Sequence, residues 1–264
     1  MNPSPASKLA VVTGGNAGIG LAVAHEIAAR GHRLLLVARD AARLEAAARE
    51  IAGRHGGAAE IRVCDLSDAA ATEALAADLA ALGPDILVNN AGFGDYGPFA
   101  DLPAQSAAGM IATNVAALTR LTSAVLPAMR ARGAGRILNV ASTAAFAPLP
   151  LAAVYGASKA YVLSFSLALA EELAESGVTV TALCPGPTPT GFAARAGMTR
   201  TELFRGAPST SAEEVAARGV EAMMAGRAME VVGGTNRLLA FATRFAPRGL
   251  LARVTHRAMR ERLR

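Results

Sequence analysis

A chain of 264 residues, 52% of them hydrophobic and 18% charged, carries enough apolar side chains for one well-buried core, and no linker divides it. The formal charge of +5 is uneven: Arg227 to Arg264 hold nine arginines against Glu230 and Glu261, a local +7, which leaves about −2 for the rest and excludes nucleic-acid binding by the main body. Cys64 and Cys184 lie in apolar runs without a CxxC, so buried, reduced thiols and a cytoplasmic setting are expected; the polar first seven residues and the lack of a long uncharged apolar run predict neither export nor membrane crossing.

Apolar strand-like runs alternate with alanine-rich helical stretches, the pattern of a parallel sheet covered on both faces. The first strand, Leu9–Thr13, runs into Thr13-Gly14-Gly15-Asn16-Ala17-Gly18-Ile19-Gly20 and a helix over Ile19–Arg30. Glycines between a strand and a helix start permit a tight turn and close backbone approach to a pyrophosphate, which the helix N–H groups then hold. The spacing is Gly-x3-Gly-x-Gly, and no GKS/T follows for a P-loop. The second strand, Arg33–Ala38, ends in Arg39-Asp40 ahead of a helix over Ala41–Ala52. Arg39 offers a planar fork to a ribose 2′-phosphate, with Arg43 as a second candidate. Asp40 is either the ribose ligand or, as we read it, the N-cap of the helix, so the sequence favours NADP over NAD.

Strand Glu60–Cys64 is followed by Asp65-Leu66 and a helix over Asp68–Ala81, and strand Asp85–Asn89 by Asn90-Ala91-Gly92. These residues stand at carboxyl edges where adenine and ribose would lie; Asp65 is equally suited to capping its loop. A long helix over Pro103–Arg132 contains Asn114, strand Arg136–Ala141 ends at Ser142, and a helix over Ala152–Ser176 carries Tyr155 and Lys159. After strand Val178–Leu183 the pattern breaks from Pro185 to Ser211, a length typical of a lid or binding loop. The helix Ala212–Ala225 and a short strand Glu230–Val232 complete a sheet of six to seven strands in one doubly wound, Rossmann-type domain spanning 9–233, with a lid over 187–211.

Only Lys8 and Lys159 are lysines, against twenty-four arginines. One turn of helix separates Tyr155 from Lys159, so both side chains share a face and the ammonium can stabilise a phenolate. Together with Thr13–Gly20, Asn89-Asn90-Ala91-Gly92, Asn114, Ser142 and Pro185-Gly186-Pro187-Thr188, this Tyr155-x3-Lys159 pair resembles the short-chain dehydrogenase/reductase family from about Leu9 to Val232. Ser142 precedes Tyr155 by 13 residues, the family's spacing. The resemblance implies that Tyr155 donates a proton to a carbonyl, with Lys159 and the oxidised nicotinamide lowering its pKa. Lys159 would also hold the nicotinamide ribose, Ser142 would orient the substrate oxygen, and Asn114 would hold a water linking Lys159 to solvent. Gly14, Asn16, Ala17, Gly18, Ile19, Gly20, Arg39, Asp65, Leu66, Asn90, Ala91, Gly92, Pro185, Gly186 and Thr188 would surround NADPH. Ser142 as a strand-end cap and Asn114 as a satisfied packing group are the bland alternatives. The turn departs from many relatives in carrying Asn16-Ala17 with no basic residue before Gly18, which leaves Arg39 to supply NADP preference.

Tyr96 and Tyr161 read as a loop aromatic and a packing residue, and His25, His32, His55 and His256 as surface groups without ligand spacing, so no catalytic metal is expected. The resemblance also implies pairing of the two long helices, Pro103–Arg132 and Ala152–Ser176, between subunits, giving a homodimer or homotetramer. The extension 234–264 forms two amphipathic stretches, Asn236–Ala246 and Leu250–Leu263, which suit a cleft cover, a subunit interface or peripheral contact with anionic lipid. The rival functions are an NADP-binding redox sensor and a membrane-surface protein; an extended-type epimerase or dehydratase would need a larger C-terminal domain. Apolar lid residues, Phe192, Met198, Leu203 and Phe204, point to an apolar small-molecule carbonyl or alcohol.

Overall fold

The computed structural model describes residues 8–57, 59–199, 201 and 209–260. Seven parallel strands form one sheet in the order β3-β2-β1-β4-β5-β6-β7: β1 Leu9–Thr13, β2 Arg33–Ala38, β3 Ala59–Val63, β4 Ile86–Asn89, β5 Gly135–Val140, β6 Val178–Cys184 and β7 Met229–Val231. Strands two and three are laid down on one side of β1, and β4 returns to the other. That reversal opens a crevice beyond the carboxyl ends of β1 and β4, where open α/β sheets bind ligands. The inner strands β1, β2 and β4 are largely apolar on both sides because helices cover both faces, whereas the edge strand β3 keeps Glu60 and Arg62 exposed.

One face carries α1 (Gly18–Ala28), α2 (Ala41–His55) and α8 (Ala212–Met224), which press Ile27, Leu44, Ile51 and Met223 onto Val12, Leu36 and Val88. On the other, α3 (Ala69–Leu82), α5 (Leu118–Arg132) and α6 (Ala153–Glu172) pack Leu79, Leu121, Val125 and Met129 against Val11, Leu87 and Ile137. Each such side chain contributes about 1.5–3 kcal/mol by leaving water. Asp40 and Asp68 cap α2 and α3, accepting from Arg43 N and from the N–H groups of Ala70 and Ala71.

The long helix expected over Pro103–Arg132 is not uniform. α4 (Ala104–Ile111) passes into a π-helical turn, Ala112–Ala117, before α5 resumes. Asn114 sits in that widened turn, where its amide reaches across to the loop after β4. By length and composition, Ala104–Arg132 and Ala153–Glu172 could each cross a membrane. Here both lie on the sheet, and a buried polar chain ties them to it. Asn89 of β4 donates to Thr122 Oγ1 of α5 at 3.0 Å and to Asn139 Oδ1 of β5 at 2.9 Å, and Asn139 donates to Ser166 Oγ of α6 at 2.9 Å.

Beyond β7 the extension forms α9 (Gly234–Ala242) and α10 (Arg248–Met259), close to the two stretches read from the sequence. The lid contributes a short α7 (Gly191–Arg195). Leu203 and Phe204 lie outside the described residues.

Candidate active site

The glycine turn is built to a tolerance that any side chain would break. Gly14 has φ +65°, and a Cβ on Gly20 would stand 2.2 Å from the Gly14 carbonyl oxygen and 2.3 Å from Asn90 Nδ2. Asn90 fixes the turn from below, donating to the carbonyls of Thr13 (2.9 Å) and Gly14 (3.2 Å), while Thr13 Oγ1 accepts from the N–H groups of Asn90 and Ala91. Asn16 and Gly18 stand half-buried and Ala17 exposed at the crevice. The residue before α1 is Ala17, which has no side-chain oxygen and makes no cap, so the first-turn N–H groups of Gly18, Ile19 and Gly20 face the crevice without a side chain answering them. This cradle fits a pyrophosphate.

At the next strand end Arg39 is well exposed, and its guanidinium lies 3.6 Å from Asp65. Asp40 takes the capping role, and Arg43 reaches back to it at 3.4 Å, so of the two arginines Arg39 is the one turned towards the crevice side of β3. Asp65 accepts from Ser67 N (2.9 Å) and Ser67 Oγ (2.7 Å); partial burial raises its pKa, but these bonds and Arg39 outweigh that and hold the carboxyl below its usual range. Of the two expected roles, the loop cap is the one these bonds to Ser67 display. Leu66 is buried beside it.

Tyr155, Lys159, Ser142 and Asn114 converge between β5, α6 and the π turn. The Tyr155 phenol is buried and hydrogen-bonded to Ser142; burial pushes its pKa up to about 12, against the pull of that bond. Ser142 Oγ also accepts from Ala144 N at 3.1 Å, so it caps the following turn as well. Lys159 Nζ donates to Val140 O at 2.7 Å and lies 5.9 Å from the centre of the Tyr155 ring. Burial brings its pKa down to about 8, with the Cys184 thiol opposing. The sequence expectation was a phenol lowered by its ammonium; in this dry pocket desolvation is the larger effect on both groups. Asn114 makes three bonds: Oδ1 accepts from Phe93 N (3.1 Å), and Nδ2 donates to Phe93 O (2.9 Å) and Ser158 Oγ (3.0 Å). A Cβ on Gly92 would lie 3.0 Å from Asn114 Oδ1 and 3.6 Å from Lys159 Nζ, so only glycine leaves that junction open.

Thr188 is buried and donates to Gly186 O at 3.1 Å, and Pro185 O accepts from Thr143 N at 2.9 Å. Gly186 is covered by Asn236 of α9: a Cβ there would meet Asn236 Nδ2 at 2.4 Å. Phe192 of the lid stands against the Tyr155 ring, centroids 5.3 Å apart.

Sequence reasoning missed part of the pocket wall. Met110, Leu149, Val154 and Met259 join the expected Met198 round Tyr155, and Met259 belongs to the last turn of α10. Tyr96, read only as a loop aromatic, donates its hydroxyl to Met259 O at 2.6 Å, and Thr255 donates to Pro148 O at 2.6 Å. These contacts close the pocket with the C-terminal helix. Leu151, at its rim, holds a positive φ of 67°. Tyr161 is part-exposed, stacked on Phe165 and bonded to Thr119. His25 is not an isolated surface group: it contacts His55 at 3.0 Å and Glu50 at 3.1 Å.

The family model described as short chain dehydrogenase matches residues 8–201. A Streptomyces violaceoruber protein named as a ketoacyl reductase of the granaticin polyketide synthase is 39% identical over 233 residues, 86% of this chain and 84% of that one. Among solved structures, the short-chain dehydrogenase from Sphingobium yanoikuyae in complex with NADPH superposes with TM-score 0.82 at 33% identity, covering 92% of this chain and 94% of that one. A variant of actinorhodin polyketide ketoreductase with NADPH gives TM-score 0.78 at 33% identity, covering 87% and 97%.

Proposed function

Because the chain belongs to the short-chain dehydrogenase/reductase family and is an NAD(P)-dependent oxidoreductase of CH–OH/C=O pairs, we propose that it reduces a ketone in an apolar acyl substrate, with NADPH as cofactor and Tyr155 as proton donor. The observation that carries this reading is the neutral, buried phenol, held by Ser142 beside an apolar wall.

Gly14, Gly18 and Gly20 would hold the pyrophosphate, Arg39 the 2′-phosphate, and Lys159, Pro185, Gly186 and Thr188 the nicotinamide riboside. When bound, NADPH supplies the hydride to the carbonyl carbon. A phenol with its pKa at about 12 stays protonated through the physiological range, the state a carbonyl reduction needs. As charge develops on the substrate oxygen, the Ser142 hydroxyl stabilises it and the Tyr155 proton passes to it, leaving a phenolate. Lys159, one helical turn away, favours that anion electrostatically. Asn114 acts at a distance, holding the Phe93 loop that forms one wall of the pocket.

Met110, Val154, Met198 and Met259 recognise hydrocarbon, and the ketoacyl reductase likeness makes 3-oxoacyl thioesters the class to assay first. NADPH oxidation with such thioesters of increasing chain length should show kcat/KM rising with length; equal rates on small polar ketones would overturn the substrate reading. Buried thiols at Cys64 and Cys184 and a nicotinamide cofactor support a cytoplasmic setting. Assembly through the outer face of α5 and α6, where Leu126, Phe165 and Leu169 line a groove, belongs to the same reading.

A further inference from the structure

The helical pair α9–α10 presents a surface that the catalytic reading does not use. Between Val231 and Arg260 the sequence holds six arginines and no Asp or Glu. In α9 the inward stripe is Asn236, which donates to Val232 O, together with Ala240 and Thr243. The opposite stripe is Leu238, Phe241 and Phe245, 68%, 55% and 74% exposed, with Leu239 at 60% on its flank. Phe241 and Phe245 rest edge to face on one another, ring centroids 5.2 Å apart. At helical spacing Arg237 and Arg244 share one edge of that apolar stripe. In α10, Thr255 and Met259 face inward, and Leu250 and Val254 are exposed, with Arg253 and Arg257 along one edge of that stripe. All six arginines are exposed, and none forms an ion pair with a described residue.

We infer that this pair is a docking face for an anionic lipid bilayer. Three features select that occupant. The protruding face is apolar, and guanidinium groups flank it, which is the arrangement that places hydrocarbon at the acyl boundary and cations among headgroup phosphates. A second copy of this chain meeting the face symmetrically would bring six arginines against six with no carboxylate between them. The positive charge is also local to the extension, because the remainder of the chain is near −2, so attraction to the lipid orients the protein with α9 and α10 downward. The face adjoins the pocket, since Met259 and Asn236, on its inner side, cover the Tyr155 and Gly186 sites. Docking would set the pocket mouth at the membrane surface. The inference stands on the surface alone and holds whatever the substrate is.

Flotation of the full-length protein tests it, with vesicles of phosphatidylcholine alone or mixed with phosphatidylglycerol. The protein should float with the anionic vesicles at least about tenfold better than with the neutral ones, and lose that advantage as salt rises. Phe241→Ser with Phe245→Ser should weaken binding by more than about tenfold. Arg237→Gln with Arg244→Gln should weaken it by about tenfold on anionic vesicles only. Both variants alter exposed side chains, and NADPH binding and melting temperature report that each has folded. Absence of wild-type flotation, or flotation indifferent to Phe241 and Phe245, overturns the inference. So does a wild type that stays with the dense phase while the phenylalanine variant drops to a smaller oligomer in light scattering, which would make the face a subunit contact.

Discussion

Replacing Arg39 with glutamine should cost the enzyme its phosphate discrimination while sparing the rest of the crevice. The side chain is 59% exposed and 3.6 Å from Asp65, itself 45% exposed, a pair that in water contributes about 0–1 kcal/mol. The guanidinium is therefore easily turned from Asp65 to a 2′-phosphate. A charge-assisted bond of that kind contributes about 1.5–3 kcal/mol, and exposure places this one near the lower end. Arg39→Gln should lower kcat/KM for NADPH by about 10- to 30-fold and leave NADH within about twofold. Arg39→Asp should go further: the new carboxylate repels the phosphate, stands beside Asp65, and can accept from a ribose 2′-OH. NADPH should then fall by on the order of 100-fold, and the preference should invert. The assay is the ratio of kcat/KM values for the two cofactors with one saturating carbonyl, repeated at raised ionic strength, where the wild-type ratio should shrink. Arg43→Gln is the comparison: Arg43 is as exposed and lies 3.4 Å from Asp40 on the first turn of α2, and its loss should change the cofactor ratio less than the loss of Arg39. Equal losses for both cofactors in Arg39→Gln, or no loss for either, would refute the reasoning.

Tyr155→Phe should cut kcat by about 100- to 10,000-fold with NADPH affinity within about threefold, measured by single-turnover rates and cofactor titration; substantial residual turnover would remove the phenol from the proton path. Lys159 sets a pH dependence of stability. Its folded pKa of about 8 is below the unfolded 10.5, so the unfolded chain binds the extra proton and stability rises with pH through this window. Between pH 8 and 9 the wild type should gain on the order of 1 kcal/mol over Lys159→Met in urea titrations. Above pH 9 and 10 the raised pKa values of Cys184 and Tyr155 reverse the slope, because the folded state then holds the proton more tightly. Asn114→Ala strips partners from both backbone groups of Phe93 and should destabilise by about 2–5 kcal/mol, read from the denaturation midpoint.

The strands and the glycine turn were legible because their cause is local. Apolar runs such as Leu34–Val37 and the crowding at Gly20 are written in consecutive residues, and every strand boundary came within a residue or two. The capping role of Asp40 was legible for the same reason. What escaped depends on distance along the chain. Nothing near Tyr96 or Met259 announces that residues 163 positions apart meet over the pocket. The π turn coincides with the reach of Asn114 to Phe93, a tertiary contact that an otherwise ordinary helical pattern does not announce. The burial that raises the Tyr155 pKa was not legible, since spacing reveals a neighbouring ammonium but not how dry the space around it is. Phe192 was read as an apolar residue of the segment after β6, and only the fold brings it to the phenol.

The amide chain from Thr122 through Asn89 and Asn139 to Ser166 has a consequence for alignment. A purely apolar contact would set the place of α6 on the sheet by shape complementarity alone, with no directional mark of its register. Directed bonds do not slip: if α6 moved by one residue, Asn139 would lose Ser166 and bury an orphaned donor. Thus the spacing between Tyr155 on one helix and Asn114 ahead of its neighbour is gauged from beneath, by four polar side chains buried between sheet and helices.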